Sequence, residues 1–150
     1  MADSTTSQNF YLSLVEFLLQ GKQQVISVSS EYGLTSMQAL TLLLTSDDQP
    51  RSMNTFCKMY DCDASNITGI VDGLEQKGLV SRQESHKDRR IKIIHLEPAG
   101  REIREAVLQK LSSASDYLFG PLTDTEKRQF MDIIEKLAAH NRPTSCPVSK

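Results

Sequence analysis

The stretch from Ser52 to Leu96 constrains the fold more than any other, because helix stop and start signals follow one another there with almost no spacer. Ser52 can cap a short helix that buries Phe56, Cys57 and Tyr60. Asp61-Cys62-Asp63 then makes a tight break, and Asp63 is itself a capping residue. The helix that follows runs through Ala64–Lys77 and is ended by Gly78, the residue type that most readily takes the left-handed conformation of a helix C-terminus. Ile67, Ile70, Val71 and Leu74 fall on one face of it. Ser65, Asn66, Thr68, Gly69, Asp72 and Gly73 lie outside that face, so the outer surface is small and polar. Leu79–Glu84 and Ile91–Leu96 read as two strands, and the six residues Ser85–Arg90 between them form a polar hairpin tip. Helix, helix and hairpin in this order are the parts of a winged helix.

The flanking segments are helical by periodicity. From Phe10 to about Val28, Phe10, Leu14, Phe17, Leu18 and Val25 fall at helical spacing, and Tyr11, Leu12, Val15 and Leu19 widen the stripe beyond what one small core needs. A second helix starts at Thr35, where Thr-Ser-Met-Gln38 forms a capping box, and ends before the Ser46–Pro50 turn. Pro98 suits a first helical turn, and Ile103, Val107, Leu111, Ala114 and Leu118 carry a long helix to a stop at Gly120-Pro121. A last helix opens with a second capping box, Thr123 to Glu126, and carries Phe130, Ile133, Ile134, Leu137 and Ala138 on one stripe. The surplus apolar faces at both chain ends predict a dimer.

The net charge of −2 looks wrong for a protein that meets a polyanion, so the distribution decides. Lys77, Arg82, Lys87, Arg89, Arg90 and Lys92 stand against only Glu84 and Asp88 within one stretch, a positive strip on an otherwise acidic body. No run is long and apolar enough to span a membrane, and Met1–Gln8 is polar, unlike a signal peptide, so a soluble cytoplasmic protein is expected. Cys57, Cys62 and Cys146 match no zinc spacing, and His86, His95 and His140 do not fall at ligand spacing, so neither a metal nor any other cofactor is expected. With no glycine-rich phosphate loop and no nucleophile–base set, catalysis is not expected either.

A slim helix with small polar residues at its start can enter a major groove of about 12 Å. Ser65, Asn66 and Thr68 sit in its first turns, with Asn66 suited to an adenine and Lys77 at the far end. At the hairpin tip, Asp88 is placed to hold the Arg90 guanidinium toward a minor groove, while Lys87 and Arg89 meet phosphates.

Leu34-Thr35 with Gln38, the stretch Ile70-Val-Asp-Gly-Leu-Glu-Gln-Lys-Gly-Leu-Val-Ser-Arg82, and Asp88-Arg-Arg90 followed by Ile94-His-Leu-Glu-Pro-Ala-Gly100 resemble the MarR family of bacterial transcription regulators. The resemblance implies an obligate homodimer that binds a pseudo-palindromic operator, usually as a repressor released by a small phenolic or lipophilic ligand, by oxidation or by a metal. It implies that Asp88 and Arg90 support minor-groove insertion, and that the recognition helix matches Ala64–Lys77. Two positions depart from the pattern: Gly69 stands where many members carry arginine, and Leu96-Glu97 replaces a common Leu-Thr.

The expected architecture is mainly α with a small β-hairpin wing, in one domain over 1–150. A winged helix-turn-helix lobe covers about 34–97, dimerisation helices about 8–29 and 98–139, and a flexible tail 141–150. A small aromatic or lipophilic effector is expected in a crevice lined by Tyr11, Phe17, Tyr32 and Met37. Oxidation is a lesser expectation, since Asp61 and Asp63 should raise the pKa of Cys62 and Cys57 looks buried. The alternative to DNA binding is a winged helix that acts through protein contacts, as an antirepressor does.

Overall fold

The computed structural model describes residues 4–114 and 116–140; the expected tail 141–150, with Cys146, lies outside them. The chain divides into two compact units, Met1–Ser113 and Ala114–Lys150.

The first unit begins with α1 (Ser4–Ser30), which starts earlier than the apolar periodicity predicts. The turn after it brings Gly33 to φ +64° and leads to α2 (Ser36–Leu44). The predicted capping box is present: the Gln38 N–H donates to Thr35 Oγ1 and the Thr35 N–H to Gln38 Oε1, both at 3.2 Å. A two-residue strand, β1 (Arg51–Ser52), precedes α3 (Met53–Tyr60), capped by Ser52 through the Thr55 N–H at 3.2 Å. Asp61 then takes the left-handed conformation, φ 48°, and α4 (Ala64–Gln76) starts on Asp63, whose carboxylate accepts the Asn66 N–H at 2.9 Å. Gly78, at φ +67°, ends that turn and releases the chain into β2 (Val80–Glu84) and β3 (Lys92–Leu96).

The sheet order is β1-β3-β2, all antiparallel, with Val80 opposite Leu96, Arg82 opposite Ile94 and Glu84 opposite Lys92. β1 is absent from the sequence-based expectation because two residues, the second of them the cap of α3, carry no alternation to detect. The core gathers Leu34, Ala39, Leu42, Phe56, Ile67, Val71, Leu74, Leu79, Val80, Ile94 and Leu96. Each fully buried Leu, Ile or Phe among them contributes roughly 1.5–3 kcal/mol of gross transfer free energy. Phe56 is fully buried as expected, but Cys57 and Tyr60 are only half-buried, because they lie at the margin of that core, Tyr60 sharing a 3.1 Å hydrogen bond with Thr41.

The last helix of this unit, α5 (Pro98–Ser113), is pinned at both ends. Gly100 approaches so closely that a Cβ there would stand 1.9 Å from the Leu79 carbonyl oxygen. Arg101 forks onto Asp47, Nε to Oδ2 at 2.9 Å and a terminal nitrogen to Oδ1 at 3.0 Å, and Arg104 Nε donates to the Leu43 carbonyl at 3.2 Å. Lys110 pairs with Glu31 and lies 5.4 Å from the centre of the Tyr32 ring.

α5 ends at Ser113, not at Leu118 as periodicity predicts; serines at 112 and 113 are weak helix formers whose hydroxyls compete for backbone partners, and Ser113 Oγ donates to the Gln109 carbonyl at 2.9 Å. The second unit carries α6 (Asp116–Phe119) and α7 (Asp124–His140). Its predicted capping box is formed: the Thr123 N–H donates to Glu126 Oε2 at 2.8 Å and the Glu126 N–H to Thr123 Oγ1 at 3.3 Å. Phe119 and Phe130 pack with ring centres 5.6 Å apart.

Candidate nucleic-acid interface

The start of α4 is an exposed, capped helix N-terminus. Ser65 and Asn66 are exposed, and the Asp63 carboxylate organises both, taking the Ser65 hydroxyl proton at 2.7 Å as well as the Asn66 N–H. The Asn66 N–H, followed by the Ser65 hydroxyl, holds the Asp63 carboxyl below its ordinary range. Thr68 is placed differently from Ser65 and Asn66: it is half-buried, and its hydroxyl donates to the Ala64 carbonyl at 2.7 Å. Its outward chemistry is thus a methyl and a hydroxyl already engaged within the helix. Gly69 is exposed with open space around it.

Asp88 works on the backbone of the wing. Its Oδ1 accepts the Arg90 N–H at 2.9 Å, the Ile91 N–H donates to the Asp88 carbonyl at 2.9 Å, and the Ser85 N–H closes the loop on the Ile91 carbonyl at 2.9 Å. The expected clamp of carboxylate on the Arg90 guanidinium is therefore replaced by an Asx turn; a short side chain two residues upstream reaches the amide before it reaches the end of an arginine. Arg90 also lines a cavity of about 190 Å³ together with Ser52, Asn54, Cys57 and Ala64, so the wing and the first residue of α4 face one hollow.

Three-dimensional contacts shorten the positive strip read along the sequence. Lys77 donates to the Gly33 carbonyl at 3.0 Å, at the opposite end of α4 from Ser65. Lys92 pairs with Glu84 at 2.9 Å across the hairpin. Arg82 turns back onto α4, one terminal nitrogen reaching Asp72 Oδ1 at 2.5 Å and the Thr68 carbonyl at 3.1 Å, the other Glu75 Oε2 at 3.3 Å. Lys87, Arg89 and Arg90 remain exposed at the tip, with no carboxylate partner among the described residues. The uncompensated charge is thus concentrated where a hairpin can meet a phosphate backbone. The inward turn of Arg82 had a sequence signal: it is two residues from buried Val80 on a strand, hence on the same face.

The stretch that holds this helix and wing is matched by the MarR family model, over residues 34–92. The regulator PrsX of Escherichia coli is 34% identical over 101 residues, covering 67% of this chain and 61% of that protein. Through its wing lobe the chain is similar to the MarR family. Solved structures carry the likeness over most of the length. BldR of Sulfolobus solfataricus superposes with a TM-score of 0.75 at 23% identity, covering 93% of this chain and 99% of its own. CouR of Rhodococcus jostii RHA1, solved with p-coumaroyl-CoA bound, gives 0.69 at 26% identity, covering 98% and 100%. These relatives are transcription regulators, and the mainly helical winged helix-turn-helix architecture is theirs as well.

The four residues expected to line an effector crevice do not converge. About 28 Å of helix separates Tyr11 from Ser30 at the end of α1. Tyr11 is 66% exposed and Phe17 half-buried, while Tyr32 packs half-buried against the core after α1 and Met37 lies half-buried in the first turn of α2. One long rigid helix keeps its two ends apart, which residue type alone does not reveal. The Cys62 thiol is pushed up, as expected, but partial burial leads, then Cys57, with Asp63 and Asp61 behind. Among the described residues no three His, Cys, Asp or Glu side chains gather as a metal site would need, and no helix is long and apolar enough to cross a membrane.

Proposed function

We propose that this chain is a MarR-family regulator that binds a pseudo-palindromic operator as a homodimer and represses transcription until a small aromatic or lipophilic ligand releases it. The observation that carries the DNA reading is the pairing of an exposed, capped helix start, Ser65 and Asn66, with a wing tip whose Lys87, Arg89 and Arg90 are uncompensated. Ser65 and Asn66 read base edges, and Arg90 enters the minor groove with Lys87 and Arg89 on phosphates. Thr68 adds its methyl group to the helix face, and Lys77 holds the rear of the helix.

The dimer reading rests on unpartnered apolar surface. Phe10, Tyr11, Leu12, Val15, Leu18 and Leu19 of α1 are each at least half exposed, and in α7 Met131, Ile133 and Leu137 are as well. The ligand reading rests on CouR, whose structure holds p-coumaroyl-CoA. Fluorescence anisotropy with a duplex from the region upstream of the protein's own gene, across a salt series, tests the proposal. Steeply salt-dependent binding that discriminates against an unrelated duplex is expected. Binding that is weak and indifferent to sequence overturns it and leaves a winged helix acting through protein contacts.

A further inference from the structure

We infer that Arg82 is the positioning residue that sets the wing against the recognition helix, and that its own charge contributes no DNA contact. This deepens the DNA reading proposed above and rests on it for its binding arm.

The geometry starts from strand alternation. Val80 and Leu96, and Arg82 and Ile94, are opposed pairs on the face of the hairpin that carries the core residues. Arg82 therefore leaves the strand on the inner side, and its side chain is only 22% exposed. Its guanidinium meets Thr68, Asp72 and Glu75, positions four and then three residues apart on one side of α4. Glu75 holds the strand as well, since its Oε1 accepts the Arg82 N–H at 2.9 Å. β2 is an edge strand, so this amide points away from β3, and α4 supplies the acceptor the sheet lacks.

The consequence is mechanical. The link from α4 to β2 is short and turns at Gly78, which is in a left-handed conformation. From Arg82 to Lys87 the hairpin extends about 16 Å, so a tilt of about 10° at the root moves the tip by about 3 Å. A working contact tolerates displacement of only about 0.5 Å. Two carboxylates and one carbonyl on Arg82 resist that tilt, and the Lys92–Glu84 pair stiffens the hairpin further out. With Asp72 and Glu75 occupying it, the guanidinium has no charge left over for phosphate.

The experiment uses the full chain and Arg82→Met, which keeps an apolar stem and removes the donors. Asp72→Asn with Glu75→Gln removes the acceptors' charge and serves as the second variant should Arg82→Met not fold. In the free protein, amide hydrogen exchange of residues 83–92 is expected to quicken by about tenfold or more, while amides of the α2 and α4 core stay protected; unchanged exchange in the wing overturns the inference independently of DNA. On a duplex selected by the wild-type protein from a random pool, Arg82→Met and Arg90→Ala are each expected to weaken binding about tenfold. The double variant should lose about ten- to twentyfold in total, because a misplaced wing has already forfeited Arg90. A loss of about a hundredfold, with a shallower salt slope for Arg82→Met alone, marks an independent phosphate contact and overturns it. Wild-type protein that selects no duplex sinks the DNA reading, whereas faster exchange in the wing is scored separately.

Discussion

In the DNA contact proposed above, Arg90 is the residue that carries the most. Arg90→Ala should weaken operator binding by about 1–3 kcal/mol, the scale of one good groove contact, with the dimer intact by sedimentation; unchanged affinity removes the wing from the interface. Asp88 gives a sharper test of how the tip is built. Because its carboxylate oxygen accepts an amide proton, Asp88→Asn retains the acceptor and should bind DNA as well as the parent in an anisotropy titration. Asp88→Ala should bind more weakly, having no acceptor at all. A charge clamp on the guanidinium would instead make the asparagine variant as poor as the alanine one. Asp-x-Arg is legible in the sequence as a pair of neighbours; which atom of Arg90 the carboxylate takes is a matter of tip geometry.

Each element of the wing lobe has its own anchor. The Asp63 cap holds α4, and its carboxyl lies below the ordinary 3.8 in the folded chain. A depressed folded value means the cap's charge stabilises the fold above about pH 3.8, and that share is lost as pH falls through the folded value. Asp63→Asn, itself a good cap, should leave the urea midpoint at pH 7 nearly unchanged and reduce the fall between pH 7 and pH 3. An identical fall in both proteins would show that the cap carries no such linkage. At the root of α5, Gly100→Ala forces a methyl to within 1.9 Å of the Leu79 carbonyl, backbone that cannot swing away. Denaturant melts should show a loss of about 1–3 kcal/mol or more, and a loss below about 0.5 kcal/mol would mean the α5 start is looser than the geometry requires. The caps at Thr35, Ser52, Asp63 and Thr123 are all readable in the sequence, since a cap and its partner amide lie within one turn. The division between α5 and α6 is not, because apolar spacing continues across residues whose backbone does not.

At the scale of the whole molecule, the proposed dimer rests on the exposed apolar residues of α1 and α7. Leu18→Glu with Leu137→Glu places charges on both faces at residues 60% and 52% exposed in the single chain. Sedimentation should show the parent at twice 16.8 kDa and the variant at that mass. The operator footprint should shrink with it from two half-sites about 10 base pairs apart, centre to centre, to weak single contacts. A variant that stays dimeric would place the interface elsewhere. By itself the sequence determined the elements other than β1 and the α5–α6 break, their caps and the inner face of α4, because these follow from residues within a few positions of one another. Only the tertiary structure decided which charges are free. Arg82 and Asp72 are ten residues apart, and Lys77 and Gly33 forty-four, so no local rule pairs them. That is the physical reason a positive strip read from Lys77 to Lys92 contracts, once folded, to the wing tip at Lys87, Arg89 and Arg90.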